Sequence, residues 1–107
     1  MFAPAILRID MKFEWDTKKE QKNIRKHGVS FEQACYVFAD PFALSLPDTE
    51  HSEQEERWIM LGKSLNQTLL VVVHTYRDSE NNEVVRIISA RKAATTEQAT
   101  YLERCPK

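Results

Sequence analysis

The segment Leu69-Leu70-Val71-Val72-Val73-His74-Thr75-Tyr76-Arg77, followed across Asp78-Ser79-Glu80-Asn81-Asn82 by Val84-Val85-Arg86-Ile87-Ile88-Ser89-Ala90, sets the architecture. Both runs are rich in β-branched residues, and the residues between them are all polar, so they read as two strands and a turn. Residues 57–63 form a third strand candidate, joined to the first through the turn-rich Ser64-Leu65-Asn66-Gln67. Connections this short favour antiparallel neighbours, and the three strands are expected to form a meander.

Toward the N-terminus, residues 42–46 read as a further short strand, preceded by Asp40-Pro41. The ring of Pro41 disfavours helical geometry at Asp40 and so ends a helix there. That helix opens at Ser30, which with Gln33 makes a capping-box pattern, and Phe31, Ala34, Cys35 and Phe38 recur at i, i+3, i+4 and i+7 on one face. An earlier helix is expected from Asp16, a capping acceptor, to His27, with Gly28 free to take the left-handed closing conformation. Its only large aliphatic residue is Ile24, so it is placed on the surface, held by a partner as much as by the core. Residues 12–15 can form a strand before it. At the other end, Thr95 with Gln98 is a second capping-box pattern and opens a last helix carrying Tyr101 and Leu102.

The predicted order is strand, two helices, four strands, helix. That is an α+β single domain, with an antiparallel sheet of about four to five strands, two N-terminal helices and one C-terminal helix. Residues 1–10 precede a second methionine, Met11, and are read as an N-terminal extension, leaving residues 11–107 as the domain.

A chain of 107 residues with 42% hydrophobic content fits one modest core. The apolar run of residues 69–73 is too short to span a bilayer, and residues 3–7 lack the basic flank of a secretory signal, so a soluble cytoplasmic location is expected. Cys35 and Cys105 have no metal-type spacing and are read as reduced thiols. His51 and Glu55 stand four apart, as two ligands on a helix would, but no second histidine or cysteine pair completes a zinc set, and no metal site is expected. Gly28 and Gly62 are the only glycines, which excludes a glycine-rich phosphate loop, and no cofactor is expected.

The net charge is −1, but it is unevenly spread. Between residues 12 and 26, Lys12, Lys18, Lys19, Lys22, Arg25 and Lys26 stand against Glu14, Asp16 and Glu20, a local excess of +3. Between residues 40 and 57, Asp40, Asp48, Glu50, Glu53, Glu55 and Glu56 stand against Arg57 alone, giving −5. Such asymmetry suits two faces with opposite partners, or two solvated surfaces.

The run Lys12-Phe13-Glu14-Trp15-Asp16, followed by Asn23, by Lys26-His27-Gly28-Val29-Ser30-Phe31, by Asp40-Pro41, by His51-Ser52 with Glu56-Arg57, and by Arg86-Ile87-Ile88-Ser89-Ala90-Arg91, resembles the BrnT toxin family over essentially everything after Met11. The resemblance implies a fold like the RelE ribonucleases, cleavage of RNA and arrest of translation. It also implies neutralisation by a BrnA-type antitoxin, which itself binds operator DNA.

RNA is cut without metal when its own 2′-hydroxyl attacks the adjacent phosphate, which needs a proton acceptor, a proton donor and cations where charge grows. Arg57, Arg86 and Arg91 are the candidates for the phosphate, because guanidinium groups bridge two oxygens in a fixed fork. In a regular strand Arg86 and Arg91 point to opposite faces, so a bulge or the strand end near Ser89 must redirect Arg91, or one of the two is structural. The alternative for each arginine is an ion pair with a carboxylate such as Glu56.

His51 or Glu55 is the candidate for proton transfer. His27 reads as a helix-end cation more than as a catalytic group, and His74 as a half-buried, hydrogen-bonded sheet residue. Lys19, Lys22, Lys26, Lys92 and Tyr101 are candidates for RNA binding, although a helical tyrosine commonly packs. Asp48, Glu50 and Glu53 are candidates for an antitoxin-facing surface. Two other readings stand beside the nuclease: a non-catalytic module that docks a partner protein, and a degenerate toxin that only binds its antitoxin.

Overall fold

The computed structural model describes residues 11–50, 56–79 and 82–105. In chain order it forms β1 (Lys12–Glu14), α1 (Thr17–His27), α2 (Phe31–Cys35) running into a 3-10 turn (Tyr36–Ala39), β2 (Leu44–Pro47), β3 (Trp58–Lys63), β4 (Leu69–Ser79), β5 (Asn82–Lys92) and α3 (Thr95–Arg104). The strands make one five-stranded sheet in the order β1-β5-β4-β3-β2.

The sheet is mixed, which corrects the expected all-antiparallel arrangement. β2 to β5 are antiparallel neighbours, but β1 lies parallel to β5, with Lys12 opposite Val84 and Glu14 opposite Arg86. Short loops dictate hairpin partners only. β1 is joined to β5 by nearly the whole fold, a connection long enough for the parallel direction.

α1 begins where Asp16 Oδ1 accepts the amides of Lys18 and Lys19 at 2.8 and 3.3 Å, and it ends at Gly28 in the left-handed conformation (φ 70°). α2 opens with both halves of the Ser30–Gln33 box in place, but tightens to 3-10 geometry after Cys35 before Pro41 stops it. The cap of α3 lies one residue earlier than predicted. Ala94 is the capping position, and the Glu97 carboxylate accepts its amide at 2.7 Å, while the Gln98 amide donates to Ala93 O at 3.0 Å. Alanine has no side-chain acceptor, so only this half of a capping box exists.

Two apolar clusters sandwich the sheet. On one face Val29, Phe31, Ala34 and Val37 meet Leu70, Val72, Val85, Ile87 and Ala90. On the other, Tyr101 of α3 and Ala93 pack on Leu61 and Val71. This second cover is partial, and the part of the face beyond α3 carries the site.

Two polar side chains fasten the layers. Asn23, the one buried residue of α1, donates to Ala90 O (2.8 Å) and Val29 O (2.9 Å) and accepts from Ala90 N (3.2 Å). β1 covers β5 only as far as Arg86, so the carboxamide replaces a missing strand for the Ala90 backbone. Asp40 accepts from Phe42 N at 2.9 Å, Lys63 N at 2.7 Å and the Tyr101 hydroxyl at 2.6 Å, tying the turn after α2 to β3 and α3. Gly62 is needed beneath it: a Cβ there would stand 2.9 Å from Val37 and 3.0 Å from Ala43. Both cysteines are free, and burial pushes the Cys35 thiol up to about 11. No helix among the described residues is long and apolar enough to cross a membrane.

Candidate active site

The β4–β5 ladder shifts register between Val73 and His74. Val73 faces Ser89 and His74 faces Ile87, leaving Ile88 without a partner. This extra residue is a β-bulge, and it reverses the alternation of β5 beyond it. Val85, Ile87 and Ala90 therefore all point to the helix-covered core, while Arg86, Ser89 and Arg91 share the opposite face. Directly opposite them on β4 stand Thr75, Val73 and Val71.

On this face a cleft of about 420 Å³ is lined by Pro47, Asp48, Thr49, Glu50, Ile59, Val71, Val73, Ser89 and Arg91. Its floor is aliphatic sheet, with a guanidinium and two carboxylates among its lining groups. Arg91 is held by a two-point ion pair with Glu97, both contacts at 2.8 Å, in addition to the Glu97 bond that caps α3. The pairing pulls the Glu97 carboxyl down to about 2 and raises the already high Arg91 value. The Arg91 side chain remains 43% exposed, so the fork is oriented without being hidden.

Arg86 lies on the same face nearer β1, with Nη1 3.0 Å from Glu14. Glu14 also receives Arg77 of β4, whose Nε stands 3.0 Å away, and the Arg77 hydrogen bond is the main cause of its lowered carboxyl value. The carboxylates paired with Arg86 and Arg91 are thus Glu14 and Glu97, not Glu56. Thr75, opposite Arg86 and 1% exposed, keeps its buried hydroxyl without a hydrogen-bond partner among the described residues.

The remaining candidates fall in different places. Arg57 is partly buried and immediately precedes β3, where its carbonyl accepts the Asp48 amide at 2.8 Å. His51, Glu53 and Glu55 lie outside the described residues. Asp48 and Glu50, expected on an antitoxin-facing surface, line the same cleft as Arg91. Lys92 sits opposite Leu70, which faces the helix-covered core, and borders another depression with Gln67, Ala93 and Gln98, so it does not accompany Arg91. Lys19, Lys22 and Lys26 line a shallow depression of about 220 Å³ at the β5 edge with Asn23, His27, Ile88 and Ser89.

Tyr101 requires correction as an RNA-stacking residue: it is 1% exposed and bonded to Asp40, leaving no ring face for a base. Burial is also the first cause of its raised hydroxyl value. His74 is fully buried, its ring nitrogens 3.2 Å from Val72 O and 3.3 Å from the Tyr76 hydroxyl, and burial lowers it to about 4. The residues missed from the sequence are Glu97, Glu14, Arg77 and Ser89. Arg77 and Ser89 could have been found by continuing the strand alternation on either side of a bulge. Among the described residues no group of three or more His, Cys, Asp or Glu is arranged to hold a metal ion.

Residues 15–97 match the family described as ribonuclease toxin, BrnT, of type II toxin-antitoxin system. Among solved structures, the fold is similar to the crystal structure of the Brucella abortus ribonuclease toxin BrnT. The TM-score is 0.60 at 28% identity, over 79% of this chain and 99% of that one. The curated proteins give no match.

Proposed function

Since the chain belongs to the BrnT family of type II ribonuclease toxins, we propose that it is an endoribonuclease that cuts RNA without a metal ion: the deprotonated 2′-hydroxyl attacks the neighbouring phosphate to form a 2′,3′-cyclic phosphate, and the P–O bond to the 5′-oxygen breaks as that oxygen takes up a proton. The single observation carrying this reading is the bulge at Ile88, which sets Arg86 and Arg91 on one face of β5, with Arg91 in a cleft. Two guanidinium groups on one rigid strand suit a phosphate whose charge grows in the transition state. Arg57 at the start of β3 joins them, and His51 or Glu55 moves the protons. The aliphatic floor of the cleft excludes water on one side and strengthens these charges.

In the same proposal the chain arrests translation and is neutralised by a BrnA-type antitoxin, and its fold is of the RelE kind. Asp48 and Glu50 border the cleft that holds Arg91. An antitoxin docking a basic group on the exposed Glu50 carboxylate would occlude the site directly. Operator DNA is then met through the antitoxin alone.

The test is RNA integrity after addition of the purified chain, with chelator present, to total cellular RNA, beside an Arg86→Ala variant of equal folded content. Cleavage by the native chain alone is expected. RNA left intact by both, with tight binding to the antitoxin retained, would favour the non-catalytic reading, for which the ion pairs of Arg86 and Arg91 with Glu14 and Glu97 speak.

A further inference from the structure

One side of α1 borders the uncovered edge of β5. Residues spaced i, i+3, i+4 and i+7 line one side of a helix, and a side that borders a sheet is commonly apolar. Here those positions are Lys19, Lys22, Asn23 and Lys26, of which only Asn23 is buried while the three lysines are exposed, and the helix's aliphatic Ile24 is 43% exposed as well. Asn23 alone makes the contact, through the Ala90 backbone. The three lysines around it line the depression against Ile88 and Ser89, at the part of the β5 edge that β1 leaves uncovered. Like charges at these spacings repel one another, so the array is unfavourable for the isolated helix.

Ser89 belongs to both concavities. It lines the α1 depression with Lys19, Lys22 and Lys26, and it lines the cleft with Arg91. The two are therefore contiguous across the edge of β5. We propose that they form a single track for a single-stranded RNA, with the nucleotides flanking the cut lying along the α1 lysines and the chain crossing the sheet edge at Ser89 into the cleft. This inference rests on the nuclease reading above and adds where the rest of the substrate lies. The lysines contact phosphates along roughly 10 Å of helix, the length of seven residues. They act through charge without reading sequence.

The test uses the full chain and a fluorescein-labelled 2′-O-methyl oligoribonucleotide, which cannot supply the attacking hydroxyl. Binding is followed by anisotropy at several salt concentrations, for probes of roughly 12 and roughly 3 nucleotides. The native chain is expected to bind the longer probe more tightly. The Lys19→Ala, Lys22→Ala, Lys26→Ala variant places good helix formers at exposed or part-exposed positions. It should lose most of that length advantage, and its plot of log affinity against log salt should be shallower by about 2. Arg91→Ala should weaken both probes and keep the length advantage.

A native chain that binds neither probe would count against the nuclease reading itself. Binding with an unchanged length advantage and salt slope in the triple-lysine variant would overturn the track alone. If that variant instead lost affinity only for an acidic polypeptide such as polyglutamate, the groove would belong to a protein partner and the track would be overturned as well.

Discussion

Arg86 and Arg91 emerge from the same face of β5 although an odd number of positions separates them, because Ile88 is an extra residue in the strand. The arrangement gives each arginine one carboxylate neighbour, Glu14 or Glu97, and leaves the guanidinium groups partly in solvent. Loss of the guanidinium should therefore affect chemistry far more than folding. Arg91→Ala is expected to lower kcat/KM for RNA by roughly 100-fold or more, the scale of losing one transition-state donor. Its stability to urea should fall by no more than about 1 kcal/mol, as for exposed ion pairs. Equal cleavage by variant and native chain would assign Arg91 to architecture alone.

Asn23→Ala should be the more damaging change to the fold, although Asn23 does not line the cleft that holds Arg91. It removes three hydrogen bonds and strands the Ala90 amide and carbonyl in a buried setting. A loss of about 2–4 kcal/mol is expected from equilibrium unfolding, since each orphaned backbone group adds to the lost bonds. A loss under about 1 kcal/mol would mean that water takes over the Ala90 backbone.

The buried His74 gives stability a pH dependence of definite sign. Its folded value, about 4, lies below the ordinary 6.5, so the unfolded chain binds the proton more readily. The stabilisation is complete above 6.5 and is lost as pH falls from there toward 4, by up to about 3 kcal/mol. Glu97 acts in a lower window: with its folded value near 2, its contribution is present above 4.5 and lost on the way down to 2. Unfolding midpoints measured from pH 7 to 4 should drop in the native chain and flatten in His74→Leu; parallel curves for the two would rule out His74 as the source.

Thr75→Val replaces a buried hydroxyl that has no hydrogen-bond partner among the described residues by a methyl group of similar shape. It should raise stability to urea by up to about 1 kcal/mol, because the desolvated hydroxyl has nothing to compensate it. A marked decrease would reveal a hydrogen bond made by that oxygen in solution.

Much of the scaffold was legible in the sequence, for local reasons. Asp16, Gly28 and the Ser30–Gln33 box act within a few residues of themselves, and the strand runs carry their own β-branched signature. What escaped depends on partners far along the chain. The direction of β1 is decided by β5, and the bulge at Ile88 shows only in the register of the ladder, although the conflict between Arg86 and Arg91 pointed to one. Tyr101 looks like an exposed helical tyrosine until Asp40 is brought to it from 61 positions away. Ala94 carries no capping signal of its own, because Glu97 supplies the hydrogen bond from inside the helix. The lysine stripe of α1 was visible as charge, but the strand edge it faces was not.

The parallel seam between β1 and β5 also orders events during synthesis. Glu14 meets Arg86 across 72 positions, and Asn23 meets Ala90 across 67, so neither contact can form until β5 has been made. Pairing of such distant segments is slow and comes after local helices and hairpins. Until then the first strand and α1 lack their contacts with β5, and the face that carries Arg86 and Arg91 is unfinished. The last segment of sheet to be made is thus the one that closes the seam with the first, and the domain is completed from its two ends at once.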